Sequence, residues 1–475
     1  MSNTRGNYIA GSWEAGEGEP LVSYSAQDGS PLFSCHSASR SQIEKAVNSA
    51  AKAFETWRQI SLSERAAFLF RYVSELESCA AGLAQLIHLE NGKHYTEAEA
   101  EVKAMIAKLA ISEQAYELRT PTRGVAEGQR LCHKPHGVIA VFSPFNFPGH
   151  LANGHMIPAL LAGNTVVLKP SELTPAVACL MIRCFEKAGF PAGVVSLVQG
   201  AKDVGEALCA AQIQGLCFTG SSKTGYAIHK QFGGRPDVIL ALEMGGNNAL
   251  IIGSQPLING ETDLKAVVDL IKQSAWASSG QRCTCTRRLL LVDTPQNRYL
   301  ANALVDDIQA ANFEARELAP LITPQAAETV LLAQSQLESL GGKVLVRAAR
   351  TSNTSGAITP SLIDMSGFSV SDCELLDEEV FGPLLQIFFV STLEQAILEA
   401  NSSRYGLAAG LVSQNASEQE LFVKEIRAGI VSVNKPTAGA SSQMPFGGIG
   451  ASGNHRPSAL YAADYCAWPQ SILYQ

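Results

Sequence analysis

The sequence predicts an α/β fold in which a doubly wound parallel sheet is followed by a second α/β domain. Three observations carry the prediction. From position 138 the chain breaks into short apolar runs at 138–142, 165–168, 194–198, 215–218 and 238–242, separated by stretches of helical length. Strands that are apolar at every position are buried on both faces, as parallel strands are. After Glu243 the alternation starts again, with apolar runs at 249–252 and 289–292 flanking a helical stretch around 264–277. Several runs end in segments rich in Gly, Ser or Pro, where open α/β sheets bind their ligands.

Composition agrees with this picture. A chain of 475 residues exceeds one ordinary core and calls for at least two domains. With 46% hydrophobic and 17% charged residues it is neither disordered nor fibrous. A net charge of −8 offers no basic field to nucleic acid or an acidic membrane, so a small molecule is the expected partner. The eleven cysteines are odd in number and scattered, and the N-terminus has no apolar signal segment; both suit a cytoplasmic protein. The uncharged stretch 135–168 is long enough for a bilayer, but Pro144, Pro148 and Pro158 interrupt it and Asn146, Asn153 and Asn164 would stand unsatisfied in lipid. It reads as a buried strand-helix-strand. Ahead of it, Ser41-x-x-Glu44 and Ser61-x-x-Glu64 read as capping boxes opening two amphipathic helices. Segments 117–131 and 461–475 read as arms outside both cores.

Chemistry concentrates at the strand ends. Gly280-Gln281-Arg282-Cys283 closes a helical stretch. A lone cysteine is commonly a small core hydrophobe, but a Gly-rich turn between Arg282 and the pair Arg287 and Arg288 could lower a thiol's pKa. Cys283-x-Cys285 finds no matching Cys or His pair nearby, so no metal site is expected. Glu243 ends a buried strand before Met244-Gly245-Gly246; alone it would be a cap or an ion pair, and beside a nucleophile it is a candidate base. Phe218-Thr219-Gly220-Ser221-Ser222-Lys223-Thr224-Gly225 joins a strand to a helix whose N-terminus suits a phosphate. The G-x-G-x-x-G match at 448–453 follows no strand and reads as a decoy loop. Lys169-Pro170-Ser171-Glu172 places a cation and a carboxylate where ribose hydroxyls would bind, and the carboxylate favours NAD over NADP. Asn146, between Pro144 and Pro148, is either a turn residue or an amide offered to an oxyanion.

Taken jointly, Phe145-Asn146-Phe147-Pro148, Lys169-Pro170-Ser171-Glu172, Phe218-Thr219-Gly220-Ser221, Glu243-Met244-Gly245-Gly246, Gly280-Gln281-x-Cys283, Glu379-Val380-Phe381-Gly382-Pro383 and Pro445-Phe446-Gly447-Gly448 resemble the aldehyde dehydrogenase superfamily over nearly the whole chain. The resemblance implies an aldehyde dehydrogenase-like fold. Its NAD-binding domain would take 1–116 and 136–242, its catalytic domain 243–440, and a β oligomerisation arm 117–135 and 455–475, in a homodimer or homotetramer. It implies Cys283 as the nucleophile that attacks the aldehyde, Asn146 and the Cys283 amide as oxyanion donors, and Glu243 as the base that activates water against the thioester. Lys169 and Glu172 would hold the adenosine ribose, Gly220, Ser221 and Gly225 would lie near the pyrophosphate, and Glu379 with Phe381 would position the nicotinamide riboside.

Two features depart from the family pattern. Glu243 and Cys283 stand 40 positions apart, a longer interval than expected, with the surplus placed at 253–263. The lysine frequent after Glu-x-Gly-Gly is replaced by Asn247-Asn248. The local wording at 146–150, 243–248, 281–285 and 453–459 resembles a branch acting on a semialdehyde with two carboxylates, from the succinyltransferase route of arginine breakdown. Such a substrate asks for cations, for which Arg119, Arg282, Lys435 and Arg456 are candidates, each equally a surface or structural charge. The alternatives are a dehydrogenase for another carboxylated semialdehyde, such as that of succinate or glutamate, and a catalytically silent structural protein.

Overall fold

The computed structural model describes residues 5–310, 318–456 and 458–475. A hairpin of β1 (Asn7–Ile9) and β2 (Ser12–Glu14) precedes four helices, α1 (Arg40–Trp57), α2 (Leu62–Ser78), α3 (Ala80–Asn91) and α4 (Tyr95–Arg119). The Ser61 box opens α2 as expected, with Ser61 Oγ accepting from Glu64 N–H and the Glu64 carboxylate accepting from Ser61 N–H. The box of α1 is corrected from Ser41–Glu44 to Ser39–Gln42, with Ser41 inside the first turn. Gln42 is buried and its amide also accepts from Glu17 N–H and donates to Ala15 O, whereas Glu44 is exposed and pairs with Arg40.

The apolar runs become β3 (Val138–Phe142), β4 (Thr165–Lys169), β5 (Val195–Leu197), β6 (Gly215–Gly220) and β7 (Ile239–Met244), joined by α5 (His150–Ala162), α6 (Pro175–Lys187), α7 (Lys202–Ala210) and α8 (Ser222–Gln231). Their order across the sheet is β7-β6-β3-β4-β5-β1-β2, parallel from β7 to β5 and antiparallel through the edge hairpin. Alternate residues of β3 feed separate cores: Ile139 and Val141 meet Tyr72, Met156 and Phe185, while Val138, Ala140 and Phe142 meet Val47 and Leu208. Burial on both faces is why every position of β3 is apolar. The chain winds one way through β4 and β5 and the other way through β6 and β7. The topological switch therefore lies between β3 and β6, where a crevice opens at the strands' carboxyl ends.

From β7 the chain runs through 245–247 straight into β8 (Asn248–Ile252) of a second sheet. That sheet also contains β9 (Thr286–Val292), β10 (Lys343–Val346), β11 (Ser361–Asp364), β12 (Leu384–Val390), β13 (Ala408–Val412) and β14 (Ile430–Val433), in the order β10-β11-β12-β9-β8-β13-β14. All its pairs are parallel except β10 with β11. Residues 253–260 form an irregular loop before α9 (Glu261–Trp276), within the stretch assigned the surplus length. Strands Arg123–Ala126, Gln129–Pro135 and Ala467–Leu473 form a separate antiparallel sheet, and α4 continues to Arg119, inside the stretch read as an arm.

Strand β7 lies at the edge of its sheet, with backbone groups open to unwanted pairing. The decoy loop closes that edge. Asn454 Oδ1 accepts from Leu242 N–H at 2.8 Å, Asn454 Nδ2 donates to Leu240 O at 3.1 Å, and Gly453 bridges to Glu243. Pro457, in the same sequence motif, lies outside the described residues. Asn454→Ala is expected to lower stability by about 1–3 kcal/mol, the sum of two part-buried hydrogen bonds, read as an earlier midpoint in urea unfolding. Asn454→Asp, which keeps the acceptor alone, should fall between the two.

Candidate active site

Glu243 sits at the carboxyl end of β7, fully buried. Across the joint, α9 is followed by a turn in which Ser278 (φ 49°) and Ser279 (φ 57°) adopt the left-handed conformation that side chains disfavour. The turn is held by side chains: Ser278 Oγ donates to Glu97 at 2.8 Å and Ser279 Oγ to Ala319 O at 2.6 Å. Gly280, also at positive φ, passes so close to Gly382 O that no Cβ fits. The chain then reaches Cys283 just before β9. The cysteine thus stands at the amino edge of the second sheet, facing the carboxyl edge of the first, with its Sγ 4.0 Å from Glu243 Oε1.

The carbonyls of this loop are clamped in turn. Arg287 donates to Gly280 O at 2.6 Å and Arg282 O at 3.2 Å, and Asn146 Nδ2 donates to Gln281 O at 3.0 Å. Asn248 Nδ2 reaches Cys283 O at 2.7 Å and Cys285 O at 2.8 Å, while its Oδ1 accepts from Ala408 N–H of β13. Asn247 binds Leu376 O and the Asp377 carboxylate. The Asn247-Asn248 departure therefore has a structural function, since Asn248 ties the cysteine loop to the second sheet.

The arginines do not acidify the thiol. Burial pushes the Cys283 pKa up, Glu243, Glu379 and Cys285 push the same way, and Arg287 alone opposes them. Arg287 and Arg288 are committed to carbonyls, Arg288 to Asn247 O, Glu399 O and Ala400 O. Glu243 is likewise raised, to about 7, by burial against the Thr219 hydrogen bond and Lys108.

A chain of hydrogen bonds ends on Glu243. Thr219 Oγ1 is 3.3 Å from Glu243 Oε2, His155 Nε2 is 3.3 Å from Thr219 Oγ1, and the Tyr465 hydroxyl is 2.7 Å from His155 Nδ1. Burial lowers the His155 pKa to about 3, so the ring is neutral. With the proton assigned to Nε2, Tyr465 donates to His155, His155 to Thr219 and Thr219 to Glu243. Sequence reasoning missed these three residues. Thr219 was inside a recognised motif, but nothing local marks His155 or Tyr465.

A cavity of about 370 Å³ opens over Cys283, lined by Phe147, His150, Arg282, Thr284, Phe446 and Ser458 among others. Of the four candidate cations only Arg282 lines it, held by Glu97 at 2.7 Å, Ser278 and Ala438 O. Arg119 pairs with Asp464 at 2.6 Å and stacks on Tyr461, and Arg456 donates to Gly448 O, so both are engaged elsewhere. Lys435 is not part of the lining.

The remaining candidates stand at the carboxyl ends of β4 and β6 and in the 379–381 segment of the second domain. Lys169 Nζ donates to Pro170 O and Gly200 O, each at 2.8 Å, and lies 3.9 Å from the half-exposed carboxylate of Glu172. Ser221 caps α8, accepting from Thr224 N–H. Gly220 sits against the Phe218 ring, and Gly225 packs on Met244 where a Cβ would collide, so Gly225 brings α8 close to the sheet. Glu379 accepts from Gly246 N–H at 3.2 Å, and Phe381 packs edge-on against Phe145 with centroids 5.8 Å apart. The structure thus links Asn146 and Glu243 to the Cys283 loop and Glu379 to Gly246, while Lys169, Glu172, Gly220, Ser221 and Gly225 stand at or just beyond the carboxyl ends of β4 and β6.

Comparison with known proteins gives the family. The aldehyde dehydrogenase family model matches residues 13–472. The chain belongs to the aldehyde dehydrogenase family. It is 46% identical over 98% of its length to an N-succinylglutamate 5-semialdehyde dehydrogenase of Escherichia coli O9:H4 (strain HS), covering 95% of that protein, and equally similar to one of Shigella boydii serotype 18. Among solved structures it resembles an indole-3-acetaldehyde dehydrogenase in complex with NAD+ (28% identity, TM-score 0.90, 100% of this chain and 97% of the other). It also resembles an aldehyde dehydrogenase from Bacillus cereus (27% identity, TM-score 0.91, 100% and 97%). Membership of this enzyme family fits the α/β fold of two parallel-rich sheets. Among the described residues no helix is long and apolar enough to cross a membrane.

Thr219→Val removes the hydrogen bond that holds the Glu243 pKa down. The Glu243 pKa should rise above about 7, so the rising limb of the kcat–pH profile should move to higher pH, with the plateau rate recovered in alkaline buffer.

Proposed function

We propose that this chain is an NAD-dependent dehydrogenase that oxidises N-succinylglutamate 5-semialdehyde to N-succinylglutamate, in arginine catabolism, through covalent intermediates on Cys283. The observation that carries the reading is Cys283 Sγ, which lines the cavity, set 4.0 Å from a buried, weakly acidic Glu243. The two curated relatives named above supply the substrate class.

The donor set of the crevice fits a dinucleotide. Lys169 and Glu172 present a cation and a carboxylate for ribose hydroxyls, the N-terminus of α8 at Ser221 suits a pyrophosphate, and Glu379, bonded to Gly246, and Phe381, packed on Phe145, are the pair for the nicotinamide riboside. NAD, when bound, supplies the acceptor for the hydride.

Burial keeps the Cys283 thiol protonated at rest, so its proton leaves as sulfur attacks the carbonyl carbon, and Glu243 is placed to take it. The oxyanion lies between the Asn146 side-chain amide and the Cys283 backbone N–H. Loss of hydride from that carbon leaves a thioester on Cys283. Glu243 must lose its proton again before the next step, and the Thr219 hydrogen bond favours the deprotonated form. Water then adds with its proton passing to Glu243, the carbon–sulfur bond breaks, and the carboxylate leaves as the sulfur regains a proton. Arg282 is the cation placed to meet a substrate carboxylate, though Glu97 offsets part of its charge.

The same reading divides the chain into an NAD-binding domain (1–116 and 136–242), a catalytic domain (243–440) and an arm (117–135 and 455–475). Strand Arg123–Ala126, exposed along its length at one edge of the arm sheet, supports assembly into a homodimer or homotetramer by strand addition.

Two measurements test the proposal. NADH formation by the wild type should favour N-succinylglutamate 5-semialdehyde over succinate semialdehyde in kcat/KM, and Cys283→Ala should abolish it. A preference for succinate semialdehyde would overturn the substrate, and an active Cys283→Ala the mechanism. Glu172→Gln, by removing the charge that repels a 2′-phosphate, should narrow the ratio of kcat/KM for NAD over NADP; an unchanged ratio would remove Glu172 from the coenzyme site.

A further inference from the structure

Lys93 and Glu101 form an ion pair with side chains 3% and 0% exposed, Nζ to Oε2 at 2.6 Å. Burial draws the Lys93 pKa down and Glu101 opposes it. Such a pair contributes little net stability, because desolvating two charges offsets their attraction. Its hydrogen bonds show what it does instead. Lys93 Nζ also donates to Asn146 O at 2.7 Å and lies 3.8 Å from the centre of the Phe147 ring. Glu101 Oε1 accepts from Gly149 N–H at 3.0 Å and His150 N–H at 3.1 Å. Asn91, at the end of α3, donates to Asn146 O at 3.2 Å.

The loop after β3 cannot organise itself. Pro144 and Pro148 carry no N–H, and Gly149 at the start of α5 has no side chain to cap the helix. Lys93 and Asn91 supply the partners for the Asn146 carbonyl, and Glu101 caps α5 with a charge that suits its N-terminal dipole. On the far side of the same residue, Asn146 Nδ2 is held by Gln281 O of the cysteine loop. Asn146 is thus gripped at its backbone by the ion pair and at its side chain by the neighbour of the nucleophile.

We propose that Lys93 and Glu101 are positioning residues that set the Asn146 amide where the oxyanion forms. This rests on the reading of Asn146 as an oxyanion donor. Lys93 does not line the cavity, so it acts through the groups it holds, and its hydrogen bond to the Asn146 carbonyl is the contact on the oxyanion donor.

The test is a double-mutant cycle on the full-length enzyme. Lys93→Met, Asn146→Ala and the double variant are compared in NADH formation and in acylation of Cys283 by 4-nitrophenyl acetate, which builds an oxyanion at the same carbon without coenzyme or the natural substrate. Lys93→Met should lower kcat and the acylation rate by about 10²-fold, the loss that a displacement of about 1 Å in a catalytic group produces. The KM for coenzyme and the alkylation of Cys283 by iodoacetamide should stay near wild type. In the Asn146→Ala background the further loss should shrink to less than about twofold. Lys93→Arg, which keeps the charge, should recover part of the rate. Glu101→Gln, isosteric and the safeguard should Lys93→Met not fold, should lower both rates in the same direction. If the Lys93→Met loss persists in full on Asn146→Ala, or falls on KM rather than kcat, the pair does not act through Asn146 and the proposal fails. If Asn146→Ala alone keeps the wild-type rate, the oxyanion reading itself fails, and the inference with it.

Discussion

Glu243 is a carboxyl group fully buried at the end of an edge strand. Burial of that kind is tolerated only when the group keeps its proton near neutral pH or has donors to meet its charge. Here both hold, with a pKa of about 7 and a hydrogen bond from Thr219 backed by His155 and Tyr465. Much else follows from keeping this one group dry. The loop at 453–454 closes the outer edge of β7, and the short 245–247 joint presses the carboxyl edge of one sheet against the amino edge of the next. The 4.0 Å approach of Cys283 results from the meeting of two sheets and does not belong to a single motif.

The same geometry explains why the thiol is not acidic at rest. A thiolate beside an ionised Glu243 would place two negative charges in a low-dielectric site, where their repulsion is large. Burial favours the protonated form of each group, and an ionised Glu243 further disfavours the thiolate. Arg287 opposes the rise in the thiol's pKa only in part, its guanidinium bonded to carbonyls at Gly280, Arg282 and Gly382. Those bonds build the loop that carries the sulfur.

The parts that could be read in advance have a local cause. Strands buried on both faces must be apolar throughout, so β3 to β8 are visible as runs, and the candidate reacting residues stand within two or three positions of Gly or Pro, where the chain turns. Helix α4 left no such mark. Its buried face includes Glu101, Lys108 and Ser112, which a hydrophobic pattern assigns to solvent. The α1 cap was misplaced by two residues because Gln42 is chosen by contacts with Ala15 and Glu17, well upstream of the helix. Arg119 and Arg456 looked available to a substrate until Asp464 and Gly448 O proved to occupy them.

Sequence by itself determined the fold class and the family and singled out the candidate reacting groups, because strand burial, turn chemistry and side-chain reactivity are properties of short segments. Tertiary structure alone decided the rest. The separation of Cys283 from Glu243, the direction of both pKa shifts, the donors behind Glu243 and the placing of Arg282 at the cavity all depend on residues tens to hundreds of positions apart. Desolvation and hydrogen-bond geometry are set by what packs around a group, and no local pattern records that.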